Sequence, residues 1–186
     1  MHPTVIVLAA GRGERFRASG GDTDKLDSLL AGRRVRDHVL AAVQASGLPW
    51  HVVARGDTAH LVNPGMGDSI ACGVRATPQS PGWLILPADL PLIQATTLKA
   101  VANALAEGGE GRIVVPRYRG EHGHPVGFAA SFGPALMALS GDQGARRVVQ
   151  AHAPVLLAVE DPGCVCDVDT VERLRAAQAL LDSRNR

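Results

Sequence analysis

Aromatic side chains are scarce. Trp50, Trp83, Tyr118, Phe16, Phe128 and Phe132 make up 3% of the 186 residues, too little material for a platform on which single-stranded nucleic-acid bases could stack. An excess of either charge is missing as well. Nineteen Lys and Arg stand against 18 Asp and Glu, a formal charge of +1, so affinity cannot come from general neutralisation of nucleic-acid phosphates. Any anionic ligand must be held by a local site. The 3 cysteines, Cys72, Cys164 and Cys166, cannot all pair, and the Cys-x-Cys has no second pair spaced as in a zinc ribbon, so free thiols are expected. His2, His38, His51, His60, His122 and His152 show no metal-binding spacing with a third ligand and receive no role. No apolar run approaches the roughly 20 residues that span a bilayer, and the N-terminus lacks a basic stretch followed by a signal-type apolar region. The expectations are a cytoplasmic location and neither a membrane nor a nucleic acid as partner.

Apolar material is plentiful. Hydrophobic residues reach 46% and charged ones 20%, enough to bury a core and too little charge density for a disordered chain, and residues 1–186 are expected to form one domain. From Thr4 to Ala9 the run TVIVLA reads as a strand buried on both faces. Similar runs recur at 50–54, 83–86, 112–115, 126–129 and 155–159. Between them, Val35, Val39, Leu40 and Val43, then Leu98, Val101, Ala102 and Leu105, follow helical spacing, as do a stretch around Val148 and Val149 and the stripe Val171, Leu174, Ala177 and Leu181. Strands alternating with helices predict an α/β fold of three layers: a mostly parallel sheet, helices on both faces, and ligands at the carboxyl ends of the strands. Ser19 to Asp24, SGGDTD, reads as a flexible flap.

The loop after the first strand carries the most chemistry. LAAGRGERF, Leu8 to Phe16, sets Gly11 and Gly13 beside small alanines and next to Arg12 and Arg15. Small residues let backbone N–H groups approach an anion, and arginine adds a fixed fork of donors, so the loop reads as a phosphate cradle. It is not a dinucleotide fingerprint, since Phe16 stands at the third glycine position, nor a Walker A loop, since no GK[ST] follows.

With Lys25-Leu26 behind it, this segment resembles the signature LAAGxGxRM…KL of nucleotidyltransferases. Asn63 to Val74 (NPGMGDSIACGV), Leu86 to Leu92 (LPADLPL), Gly123 to Val126 (GHPV), Gly141 to Arg146 (GDQGAR) and Asp167 to Thr170 (DVDT) resemble, in order, the further motifs of the molybdenum cofactor cytidylyltransferase family within the MobA-like NTP transferases. One departure is plain: after KL the family typically has another apolar residue, and this chain has Asp27 and Ser28.

The resemblance implies a Rossmann-like nucleotidyltransferase fold and transfer of CMP from CTP to the phosphate of a molybdopterin-type cofactor, with release of pyrophosphate. Such chemistry asks a protein for positioning and for cations that neutralise the transferring and leaving oxygens. Arg15, Lys25 and Asp89 are the implied catalytic residues. Leu8, Ala9, Ala10, Gly11, Gly13, Arg15, Lys25, Gly67 and Ser69 are the implied nucleotide contacts, and Asp89 and Asp169 the Mg²⁺ ligands, with Asp167 the lesser candidate beside Asp169 for the second carboxylate. His124 and Arg146 fall on the acceptor side. Guanylyl-transferring relatives usually have LAGG here, so Ala10 narrows the pocket against a purine. The prospective receiver of the product is a molybdenum hydroxylase apoenzyme. Two readings compete with this one: a transferase using GTP or another acceptor, and a non-catalytic chaperone for the cofactor. Locally, Asp89 could also be a turn residue, Ser69 a helix cap, and Asp169 or Thr170 the cap of the last helix.

Overall fold

The computed structural model describes residues 1–184. Its centre is β1 (Thr4–Ala9), whose apolar run is buried because strands flank it on both edges. β4 (Trp50–Ala54) and β5 (Gly82–Pro87) both lie parallel to it, with Val5 opposite Trp50 on one side and Leu84 on the other. Alternate residues of β1 point to opposite faces. On one face α3 (Met66–Ala76) comes so close that Gly73 lies against Ile6 and Val53. On the other, Val7 and Val52 face Leu40 of α2 (Val35–Ser46) across a cavity, and α2 packs against α4 (Ala95–Ala106). Helices therefore cover both faces, as the alternation of apolar runs predicts.

Beyond β5 the sheet becomes mixed. β6 (Ile113–Tyr118) turns at Arg119-Gly120, both at positive φ, into β7 (Glu121–His122), and the chain returns as β8 (Val126–Ala129) between β5 and β6, antiparallel to both. A two-residue turn of that kind favours a hairpin, and with no crossover helix between β6 and β8 a parallel arrangement is unavailable. β9 (Val155–Ala158) then adds parallel to β6, giving a 7-stranded sheet in the order β4-β1-β5-β8-β6, with β7 and β9 both on β6. Most of its strands share one direction; β7 and β8 do not.

Several short elements exceed the sequence expectation. α1 (Glu14–Ala18) follows the glycine loop, and α5 (Gly133–Met137) packs against α3. A two-stranded ribbon, β2 (Leu29–Leu30) with β3 (Arg33–Arg34), turns at Ala31-Gly32. α6 (Arg146–Gln150) contains Val148 and Val149, and α7 (Val171–Arg184) ends the described chain, burying Ala177 of its predicted stripe. The core includes Ile6, Leu84, Leu86, Leu98, Val101 and Phe128, all essentially without solvent contact.

Candidate active site

β1 and β5 end side by side, and their following loops meet. The amide of Ala88 donates to the carbonyl of Leu8 (3.0 Å), which sets Asp89 next to the glycine loop. The carbonyl of Asp89 accepts from the amide of Val168 (2.9 Å), which brings the DVDT segment to the same place. Three segments far apart in sequence are thus joined by backbone bonds before any side chain contributes.

The side chains then converge on Lys25. Its ammonium lies 2.6 Å from Asp89 Oδ2 and 2.7 Å from Asp169 Oδ1, and Arg15 reaches Asp169 Oδ2 at 3.2 Å. Burial disfavours the charge on Lys25, but the two carboxylates outweigh it and hold the ammonium above its usual range. Burial likewise pushes Asp169 up, and the bonds and charges of Lys25 and Arg15 overcome it, so Asp169 lies below the ordinary carboxylate value. Asp167 behaves oppositely. Burial pushes it up, Arg173 opposes this, and the nearby charges of Asp169 and Asp89 add to the rise; its ion pair is with Arg173, outside the cluster. Thr170 Oγ1 accepts from the amide of Arg173 (3.2 Å), so the cap of α7 is Thr170, and Asp169 is left to the cations.

The glycine loop lies beside this cluster. Gly13 adopts φ +63°, a conformation that a side chain would strain, and the amides of Gly11, Arg12 and Gly13 have no protein acceptor among the described residues. Arg12 donates to Asn63 Oδ1 (3.2 Å), tying the loop to the segment that leads into α3. Leu8 and Ala9, at the end of β1, and Ala10 after them are half-buried. Arg15 is exposed over most of its side chain.

Two of the implied nucleotide contacts are engaged within the protein. The N-terminus of α3 does not present Gly67 and Ser69 freely: the Gly67 amide donates to the Gly141 carbonyl (2.7 Å), and the Ser69 hydroxyl and amide both donate to the Gly65 carbonyl (3.1 and 3.2 Å). The physical reason is a clasp between two motifs. Asp68 Oδ2 accepts from the amides of Gly65 (2.8 Å) and Gly141 (2.9 Å), and Gly65 approaches Gly141 so closely that a Cβ would lie 2.3 Å from its carbonyl group. These backbone bonds, opposed only in part by desolvation, hold the Asp68 carboxyl low. NPGMGDS and GDQG are therefore one structural unit.

His124 and Arg146, the implied acceptor contacts, take no part in the ion pairs around Lys25, although His124 lies close enough to Asp89 to feel its charge. The His124 amide donates to the Cys164 carbonyl (2.8 Å), and Nδ1 is buried without a partner. Burial holds its ring below the usual histidine range, opposed by the charge of Asp89 and a bond with the Ile85 backbone. Arg146 is exposed on α6 and forms no ion pair among the described residues.

Sequence reasoning missed Arg55. It follows β4 directly, donates to the Gly11 carbonyl through Nη2 (2.7 Å) and Nε (3.3 Å), and pairs with Asp24. Its place at the carboxyl end of a parallel strand was the available signal. Behind the loop, on the α2 face, lies a cavity of about 470 Å³ walled by Val7, Ala9, Leu26, Leu40, Val52 and Ala88.

Two adjacent carboxylates that share a lysine ammonium, beside a loop whose amides have no protein acceptor among the described residues, form an arrangement chemically able to receive a polyphosphate and its counter-ions. The comparisons agree with that class: residues 5–155 match the MobA-like NTP transferase domain. The chain belongs to this family and is a nucleotidyltransferase. It is 28% identical over 191 residues to purine catabolism protein PucB of Bacillus subtilis, covering 90% of this chain and 91% of that one. It is 32% identical over 146 residues to bifunctional protein GlmU of Thiobacillus denitrificans, covering 69% of this chain and 30% of that longer protein. Among solved structures, Rv0371c of Mycobacterium tuberculosis superposes with a TM-score of 0.79 at 23% identity over 96% of this chain and 99% of that one. A nucleotidyl transferase of Methanothermobacter gives 0.79 at 20% identity, over 98% and 99% of the two chains. These last two establish the fold. No helix among the described residues is long and apolar enough to cross a membrane.

Proposed function

We propose that this protein transfers CMP from CTP to the terminal phosphate of a molybdopterin-type cofactor in the cytoplasm. An acceptor phosphate oxygen attacks the α-phosphorus, the bond between the α-phosphorus and its bridging oxygen breaks, and pyrophosphate leaves with that oxygen. The observation that carries the reading is the meeting of Arg15, Lys25, Asp89 and Asp169 beside the Gly11–Gly13 amides. The loop amides and Arg15 receive the triphosphate, and Lys25 exchanges its carboxylates for phosphate oxygens as the anion arrives.

The carboxylates fit a divalent ion. Two oxygen donors converging on one cation are what Mg²⁺ takes from a protein, with phosphates and water completing its shell. Asp89 and Asp169 would hold it, and when bound it neutralises charge on the transferring phosphoryl group. A Mycobacterium tuberculosis structure of the same fold, at 22% identity and a TM-score of 0.72, is described as a complex with manganese, which supports this choice.

Ala10 supports cytidine over guanine, because its methyl group takes room that a glycine would leave for the larger base. The fold match with molybdopterin-guanine dinucleotide biosynthesis protein A of Archaeoglobus fulgidus, TM-score 0.63 at 16% identity, is in keeping with a pterin acceptor. His124 and Arg146 are assigned to that acceptor, and a molybdenum hydroxylase apoenzyme to its later receipt. The test is pyrophosphate release measured with each nucleoside triphosphate, with and without the pterin cofactor. Release that needs both CTP and the pterin is expected. Release with CTP that ignores the pterin, or none with any nucleotide, overturns the assignment.

A further inference from the structure

Arg55 occupies the point where two halves of the nucleotide site are joined. The turn that carries it is fixed locally: Asp57 Oδ2 accepts from the Ala54 amide (2.8 Å), and Thr58 is buried. From there one guanidinium donates twice to the Gly11 carbonyl and also pairs with Asp24. Both ends of that bridge matter. In a planar trans peptide the carbonyl and the following N–H point to opposite sides, so drawing the Gly11 carbonyl towards Arg55 turns the Arg12 amide away from it. At the other end, Asp24 Oδ1 accepts from the Leu26 amide (3.0 Å), and the Asp24 carbonyl accepts from the amides of Asp27 (2.9 Å) and Ser28 (3.0 Å). Asp24 therefore sets the turn on which Lys25 stands.

We propose that Arg55 is a positioning residue for the triphosphate: by holding Gly11 and Asp24 together it fixes the loop amides and the Lys25 ammonium in one register. The inference rests on the nucleotide reading of the site. Arginine suits the task because its rigid fork serves a carbonyl and a carboxylate at once, which a lysine ammonium on a flexible stem does less well. The Arg55 side chain is 52% exposed, so its ion pair adds little to folding stability. Its effect belongs to binding, where a misplaced loop loses donors that act together.

The experiment is direct binding of CTP with Mg²⁺ by calorimetry, beside thermal unfolding, for the wild type and for Arg55→Ala, Arg55→Lys, Asp24→Asn and the double variant Arg55→Ala/Asp24→Asn. Arg55→Ala is expected to weaken CTP about tenfold, a change of about 1.4 kcal/mol, while its unfolding midpoint stays close to that of the wild type. Arg55→Lys, which retains the charge and removes the fork, is expected to fall between the two. The double variant is expected to lose no more than the worse single one, since both break the same tie. Arg55→Ala and Arg55→Lys binding CTP as the wild type does, or losses that simply add in the double variant, overturn the inference alone. A wild-type chain that binds no nucleoside triphosphate overturns the transfer reading, and this inference with it.

Discussion

The two sides of the sheet solve different problems. Around β4, β1 and β5, every candidate charge near the glycine loop already has a partner: Lys25 with Asp89 and Asp169, Arg15 with Asp169, Arg55 with Asp24. Around β8 and α6 the candidates form no ion pair among the described residues, with His124 Nδ1 buried without a partner there and Arg146 in solvent. Charges held in a paired network are preorganised for the polyphosphate proposed above. Its cations stand in place, and the carboxylates that would repel a polyphosphate are already neutralised. The unpaired side is shaped by backbone, through the bond of His124 to Cys164 and the short hairpin of β6 and β7. The nucleotide side should therefore control whether any reaction occurs, and the other side which acceptor is used.

The largest expected effect tests the first half of that contrast. Asp89→Ala removes one of the two carboxylates on the Lys25 centre and should lower pyrophosphate release by about 1,000-fold or more, with the far-ultraviolet circular dichroism unchanged. Full activity in that variant would end the mechanism. Lys25→Met should follow, at about 100-fold, because a point charge on the phosphates is lost while the carboxylate pair remains. Both losses should be the same for every acceptor offered.

His124→Asn and Arg146→Ala test the second half. Each should raise the KM for the pterin acceptor by about tenfold, through lost polar contacts, and leave CTP affinity within about twofold of the wild type. If either weakens CTP as much as Lys25→Met does, the division between the two sides fails. Ala10→Gly sharpens the comparison from within the nucleotide side. The wild type should prefer CTP over GTP by more than about tenfold, and the glycine variant should narrow that ratio in a competition assay. Equal use of both nucleotides by the wild type removes the argument from Ala10.

Much of this arrangement is written locally in the chain, and the reasons it is readable are chemical. A strand buried on both faces needs a continuous apolar run, so TVIVLA, WHVVA and WLIL announce β1, β4 and β5. A loop that must approach an anion needs glycine, so Gly11 and Gly13 mark the proposed cradle. Strand direction leaves no such trace: VGFA has the same composition whether parallel or antiparallel, and only the Arg119-Gly120 turn and the missing crossover decide it. Contacts between distant segments are equally silent. Arg55 lies 44 residues from Gly11 and 31 from Asp24, and apart from its place at the end of a strand nothing beside it distinguishes it from a solvated arginine. The engagement of Gly67 is silent for the same reason, since its partner Gly141, whose amide Asp68 clasps, belongs to a loop more than 70 residues away.

The smallest expected effect concerns pH and separates Asp169 from its neighbour. Asp169 lies below its ordinary value of 3.8 in the folded chain because Lys25 and Arg15 outweigh its burial. Its contribution to stability is therefore complete above pH 3.8 and is lost as the pH falls through the lower, folded value. Asp167 has the opposite shift, so its ionised form is disfavoured by folding and its contribution changes in the other sense. Denaturant unfolding of Asp169→Asn should show a loss of about 1 kcal/mol at pH 7 that shrinks as the pH falls below 3.8. Asp167→Asn should show no loss that follows this course. Lys25, held above 10.5, contributes below that pH and loses its contribution only as the pH rises through its raised value, so the acid limb reports the carboxylates alone. A stability difference for Asp169→Asn that stays constant between pH 7 and pH 3 means that Lys25 and Arg15 do not hold this carboxylate in solution, and the preorganised side of the comparison is then no more organised than the other.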